Sequence, residues 1–373
     1  MASAHFPQAR PVDGFAEFLI APREDLHTEI LYSAEGLIPT GSRGVVLLFP
    51  GTSSRMDSEY GVARALAPLA QHFRRDGYAV LAFQPPIYHR WREGLDARAE
   101  FLEKYSSPEA NIEWLGNIVR FVRAHTALPL RYYGRSTFAD MGLEAYHRAA
   151  QGHPSADFVG EFSHMFLPGL EGTTEQAISV WHTAEVDFFK SHPHKGDMPV
   201  VLAGPRLFRQ FDWEKTRAPV SAALAERLPE VLLACGIADE FCGARPSALV
   251  APAAAFLRQH PGGNFTFVLH DGYHNPAQLK PNESEADRQA RVRAIHGAFL
   301  AEKPFRGFRV LYAPDRQSVL SASPKNRHPR IEGQHREYDR CQTLIRDMGA
   351  AQVLGSAQPL VKDSSGVETV VNS

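Results

Sequence analysis

Residues 45–49, Val-Val-Leu-Leu-Phe, form an uninterrupted apolar run that stops at Pro50-Gly51. A short run without polar alternation predicts a strand buried on both faces, as in a parallel sheet covered by helices. The period then changes: Val62, Leu66, Leu69 and Phe73 recur at helical spacing before Gly77. Residues 78–83 (Tyr-Ala-Val-Leu-Ala-Phe) return to strand character and stop at Pro85-Pro86. Pro108 sits where a first helical turn tolerates it and is followed by Ile112, Leu115, Val119 and Val122 on one face. A strand at about 130–133, the turn Gly134-Arg135-Ser136 and a helix from Phe138 to Ala150 come next. Residues 156–162, 231–235 and 265–269 read as further strands. A helix opened by Pro246 and closed near Gly262-Gly263 separates the last two. A final helix spans roughly 285–301, with Val292, Ile295 and Phe299 inward. Such alternation predicts an α/β fold with a mostly parallel central sheet flanked by helices.

Two stretches break the alternation. Residues 164–228, rich in His, Phe, Trp and Pro, are expected to be an inserted cap between an N-terminal part of the core (1–163) and a C-terminal part (229–302). Residues 303–373 are polar and Arg-rich, then weakly patterned, and read as a C-terminal extension with a helical stretch from Tyr338 to Met348.

Composition narrows the function classes. The 373 residues are 44% apolar and 22% charged, with a net charge of −2, so no basic field invites nucleic acid. Seventeen histidines are scattered without metal-ligand spacing, and neither H-e-x-x-H nor C-x-x-C occurs, so no metal or organic cofactor is expected. Three cysteines, Cys235, Cys242 and Cys341, do not make a disulfide framework. No run reaches membrane-spanning length and Met1 to Gly14 has no signal-peptide core, so a cytoplasmic protein is expected.

A serine hydroxyl needs a base to take its proton, an acid to orient that base and donors for the oxyanion. Ser136 lies between a strand and a helix, with Gly134 permitting a tight turn and the helix N-terminus favouring negative charge beside it. Asp239, in Gly-Ile-Ala-Asp-Glu-Phe, follows the strand 231–235, and His274, in His-Asp-Gly-Tyr-His-Asn, follows the strand 265–269. Ligand sites of open α/β sheets gather at such carboxyl ends. Each residue alone has a plainer reading: an exposed serine, a turn aspartate, a loop histidine. Ser53 competes with Ser136, as it too lies between a strand and a helix, and Glu161 competes with Asp239. Asp271 is too near His274 in sequence for easy geometry, and Cys242 has no evident activating neighbour.

The order Ser136, Asp239, His274, each after a strand, resembles the α/β-hydrolase superfamily over about residues 15–302. The resemblance implies an α/β-hydrolase-like sheet with a cap, and assigns Ser136 as nucleophile, Asp239 as acid and His274 as base. Phe49-Pro50-Gly51-Thr52 is similar to the superfamily's oxyanion loop, which implies that the backbone N–H groups of Thr52 and Thr137 hold the oxyanion. One departure stands out: the superfamily usually carries a small residue two places after the nucleophile, and here that residue is Phe138. A wider turn, or Ala139 in the close-packed place, is therefore expected.

Around the site, Tyr88 and Trp91 in the segment 85–91 and Trp181 in the cap are candidates for contact with substrate. The function expected is hydrolysis of a carboxylic ester or thioester of a small to medium organic molecule. The same triad also admits carbon–carbon bond hydrolysis, acyl transfer or lyase chemistry, and a spoiled elbow would leave a silent binding protein. A small-molecule acyl substrate is the expected partner, with no nucleic acid and no membrane, and a homodimer is left open.

Overall fold

The computed structural model describes residues 10–12, 15–23, 26, 28–51, 61–84, 108–169, 226–236, 264–270, 276–277, 283–302, 307–311, 343, 360–362 and 368–370. Among the described residues ten strands make one sheet: β1 (Arg10–Val12), β2 (Phe15–Arg23), β3 (Thr28–Ser33), β4 (Val45–Phe49), β5 (Ala79–Gln84), β6 (Leu130–Gly134), β7 (Phe162–Pro168), β8 (Glu230–Gly236), β9 (Asn264–His270) and β10 (Gly307–Leu311). Their spatial order is β1-β2-β3-β5-β4-β6-β7-β8-β9-β10. From β5 to β10 every neighbouring pair is parallel, and β1, β2 and β3 add an antiparallel extension at the β5 edge. A separate antiparallel ribbon pairs β11 (Leu360–Lys362) with β12 (Glu368–Val370).

The helices cover both faces, as the apolar runs require. Among the described residues they are α1 (Gly61–Arg75), α2 (Pro108–Arg123), α3 (Thr137–Ala150) and α4 (Glu285–Gly297). All five residues of β4 are buried, matching the expectation for residues 45–49. Successive strand residues point to opposite faces, and the aromatic contacts show which helices each face meets. Tyr132 stacks on Phe49, which also packs against Trp114 of α2 and Phe138 of α3. Its neighbour Tyr133 meets Phe73 of α1, His296 of α4 and Phe299. The helix faces read from spacing are the buried ones: Ile112, Leu115, Val119 and Val122 in α2, and Val292 and Ile295 in α4 with Phe299 after it.

Polar groups in this core are tied to backbone or to one another. Arg131 donates from Nε to the Phe299 carbonyl (3.0 Å) and from Nη2 to the Ala301 carbonyl (2.7 Å), satisfying acceptors just beyond α4 while its guanidinium lies over the Tyr78 ring. At the amino ends of β7, β8 and β9, His164 lies 3.6 Å from Glu230, which also accepts from the Thr266 hydroxyl.

Three expectations are corrected. Residues 154–161 form a 3-10 helix, Pro154–Glu161, opened by a proline and an N-cap from His153, and the strand runs from Phe162 to Pro168 instead of over 156–162. Residues 164–168 therefore belong to the sheet rather than to the cap. The extension contributes β10, which pairs in parallel with β9. Residues 170–225 of the expected cap, the segment 85–91, the helix expected after Pro246 and the Tyr338–Met348 stretch other than Thr343 lie outside the described residues.

The sheet grows outward from β4 in both directions, because β5 and β6 flank it on opposite sides. The carboxyl end of β4 is therefore where successive connections reverse direction, the point at which open α/β sheets leave a crevice. The turns after β4 and β6 meet there.

Candidate active site

The turn after β6 is held on both sides before it bends. Arg135 N–H donates to the Phe49 carbonyl of β4 (3.2 Å) and Ser136 N–H to the Pro168 carbonyl of β7 (3.0 Å). The chain then reverses into α3 through Ser136 at φ 56° and ψ −122°, the one positive φ outside glycine among the described residues. Such a conformation costs an L-residue on the order of 1–3 kcal/mol and persists where its surroundings enforce it.

Position makes Ser136 the N-cap of α3, and a serine there ordinarily accepts from the helix's first amides, which stabilises by about 1 kcal/mol. Its hydroxyl makes no such cap. Only its carbonyl serves the helix, accepting from Ala139 N–H (2.7 Å) and Asp140 N–H (3.2 Å). A residue that carries backbone strain without making its cap is a candidate for chemistry. Ser136 is also buried, at 1% exposure.

The turn after β4 closes on this serine. A Cβ added to Gly51 would lie 2.7 Å from Ser136 Cβ and 3.1 Å from Ser136 Oγ. Backbone following Pro50 thus passes against the hydroxyl, the approach that an oxyanion loop requires. Thr137 is the first residue of α3, where an amide has no acceptor within the helix. Thr52 lies outside the described residues.

The bulky Phe138 is accommodated beside the turn by aromatic packing. Its ring leaves the strand–helix crossing, stacks on Phe49 (5.7 Å between centroids) and meets Trp114 edge-on (5.7 Å). Glycines keep the crossing tight instead. A Cβ at Gly134 would meet the Phe138 carbonyl oxygen and lie 2.7 Å from Tyr132 Oη, and a Cβ at Gly142 would lie 2.6 Å from Tyr132 Cε1 and 2.8 Å from Leu167 Cδ2. Tyr132 fills the space so left, and its hydroxyl donates to the Phe138 carbonyl at 2.6 Å. Burial, with the Asp140 carboxylate as the lesser cause, pushes this phenol well above its ordinary range and keeps it a donor. Neither Gly142 nor Tyr132 stands out as a site residue in the sequence; a glycine inside a helical pattern is the available signal.

Glu161 is removed as a rival for the acid. It lies at the amino end of β7, opposite the sheet edge that carries Ser136, and it accepts from Arg123 Nε at 2.7 Å. In the chain Asp239 comes after β8 and His274 after β9, but the two residues lie outside the described residues, as do Ser53, Asp271, Cys242, Tyr88, Trp91 and Trp181. Close to His274 in the chain, Pro276 and Ala277 are held by α4: Arg291 Nη1 donates to the Pro276 carbonyl (2.5 Å) and Arg288 Nη1 to the Ala277 carbonyl (2.9 Å). Among the described residues no cluster of three or more His, Cys, Asp or Glu side chains could hold a metal, and no helix is long and apolar enough to cross a membrane.

No protein-family model matches the chain, and no curated protein matches it in sequence. Solved structures do match. The esterase Pf2001 of Pyrococcus furiosus is 12% identical, with 78% of this chain and 90% of that chain covered at a TM-score of 0.42. A thermostable carboxyl esterase from Bacillus coagulans is 12% identical, covering 78% and 96% at 0.42. The mouse alpha/beta hydrolase domain-containing protein 10 is 12% identical, covering 76% and 98% at 0.41.

Proposed function

We propose that this chain is a serine hydrolase that cleaves a carboxylic ester or thioester of a small to medium organic substrate through an acyl-enzyme on Ser136. The observation that carries the reading is Ser136 itself: a strained, non-capping serine on a strand-to-helix turn, with the backbone of Gly51 against its hydroxyl.

In this reading His274 takes the Ser136 proton as Oγ attacks the acyl carbon, and Asp239 fixes the imidazole tautomer. Negative charge develops on the former carbonyl oxygen and is met by the N–H groups of Thr52 and Thr137, each such donor being worth about 10²–10³ in rate. Collapse expels the alcohol or thiol, which receives the proton from His274. Water, deprotonated by His274, then attacks the acyl-enzyme and releases the acid and the free serine. Tyr88, Trp91 and Trp181 are assigned to the acyl or alcohol pocket.

The test is Ser136→Ala. Hydrolysis of p-nitrophenyl esters is expected to fall by roughly 10⁶-fold, to background, with the thermal midpoint retained. A fluorophosphonate probe is expected to label the unmutated protein stoichiometrically at Ser136. A folded, fully active Ser136→Ala protein, or labelling at Ser53 instead, sinks the assignment.

A further inference from the structure

We propose that Tyr132 is a positioning residue for Ser136: its phenol, wedged between β6 and α3, holds the first turn of the helix where the serine's left-handed conformation requires it. The kinetic consequence rests on the reading of Ser136 as nucleophile; the geometric one does not.

The wedge is built from three separate features. The Tyr132 ring is clamped on the sheet by stacking on Phe49 (4.8 Å) and by an edge contact with Phe162 (5.6 Å). Gly134 on the strand and Gly142 on the helix each leave out the side chain that would collide with it. The hydroxyl then donates to the carbonyl of Phe138, two residues after Ser136, at 2.6 Å. A glycine inside a helix is destabilising relative to alanine, and at Gly142 the structure shows what its missing side chain admits: the Tyr132 ring.

The hydrogen bond reaches the serine through few torsions. Ser136 N–H is fixed to Pro168 on the sheet, whereas its carbonyl belongs to the helix through Ala139 and Asp140. Its φ and ψ therefore absorb any movement of the first turn of α3 relative to the strands. Phe138 lies in that turn, and Tyr132 ties its carbonyl directly to β6. A carbonyl has two lone pairs, so Phe138 can accept from Tyr132 while also serving the helix. Removing only the hydroxyl leaves the apolar packing in place and releases the tether.

The experiment compares the full-length protein with Tyr132→Phe, measuring p-nitrophenyl acetate hydrolysis, the second-order rate of fluorophosphonate labelling, the thermal midpoint and a crystal structure. A misplaced nucleophile loses rate while substrate binding persists, so kcat and the labelling rate are expected to fall together by about tenfold, with KM within about twofold. Ser136 is expected to leave its φ of 56° in the Tyr132→Phe crystal structure. Gly142→Ala, which pushes on the same ring from the helix side, is expected to reproduce the loss and serves if Tyr132→Phe does not fold. Wild-type rates in both variants overturn the inference, as does a rise in KM at constant kcat. If the unmutated protein neither labels nor hydrolyses, the hydrolase reading falls, and Tyr132 is judged on the crystal structure alone: an unmoved Ser136 overturns its role and a displaced one upholds it.

Discussion

Gly51 and Ser136 meet so closely that a single methyl group on Gly51 would stand 2.7 Å from the serine Cβ. Real Cβ atoms do not approach that near, so the contact ties the conformation of the loop after β4 to the position of the hydroxyl after β6.

Gly51→Ala is therefore expected to cost about 1–3 kcal/mol of stability by overpacking. The loop or the serine must shift, so kcat for an activated ester is expected to fall by at least about tenfold. Urea unfolding and steady-state kinetics check the two effects separately. Normal kinetics in a folded Gly51→Ala protein would contradict the contact.

Phe138 is expected to be a packing residue whose removal does not improve the turn. Its ring is buried between Phe49 and Trp114, so Phe138→Ala is expected to destabilise by about 3–5 kcal/mol through the cavity it leaves. Increased activity without loss of stability would show that the ring crowds the elbow after all.

Arg291 and Glu283 form a bidentate pair, at 2.8 and 2.9 Å, with side-chain exposures of only 4% and 6%. Arg291→Ala leaves a buried carboxylate uncompensated and is expected to cost about 3–5 kcal/mol by urea unfolding. The double variant Arg291→Met, Glu283→Met is expected to recover part of that loss, because it removes both charges. A loss under about 1 kcal/mol for Arg291→Ala would mean the pair is not buried in solution.

His72 gives the fold a specific acid response. Burial first, and then Arg293 and Arg75, lower its pKa against the opposing pull of Asp76, so the folded protein holds the ring neutral below the ordinary histidine value of about 6.5. Between that value and the lowered folded one, the unfolded chain binds a proton that the folded chain does not. Stability is thus fully present above about pH 6.5, falls as pH drops through the window and stops falling below it. Thermal midpoints from about pH 7.5 to pH 5 should fall less steeply in His72→Gln than in the unmutated protein. Equal slopes would assign the acid sensitivity elsewhere.

Much of the molecule was legible because its signals are local. The runs 45–49 and 78–83, the face of α2 and the buried positions of α4 follow from periodicity and burial, which need no knowledge of distant residues. The strand-to-helix turn at Ser136 was legible for the same reason, since a glycine, a serine and a following helix are neighbours in the chain. The residues not legible in the sequence are those whose meaning depends on what lies across the sheet. No periodicity joins β10 to β9 or β1–β3 to β5, because pairing at an edge is chosen by the strand already there. The proline that opens residues 154–161 and the 3-10 turn that follows displaced the strand expected over 156–162, and with it Glu161 as a possible acid.

Sequence by itself determined that this chain builds an α/β sheet with a serine at a strand-to-helix turn, because alternating burial leaves few other solutions for such runs. Tertiary structure alone decided how that turn is made: Phe138 is accommodated by Phe49 and Trp114, Tyr132 fills the gap that Gly134 and Gly142 leave, and Gly51 arrives from another strand to press on Ser136. The physical reason is packing. Steric fit between residues far apart in the chain exists only once the sheet has set their distance, and at this turn that fit holds the serine in its strained conformation.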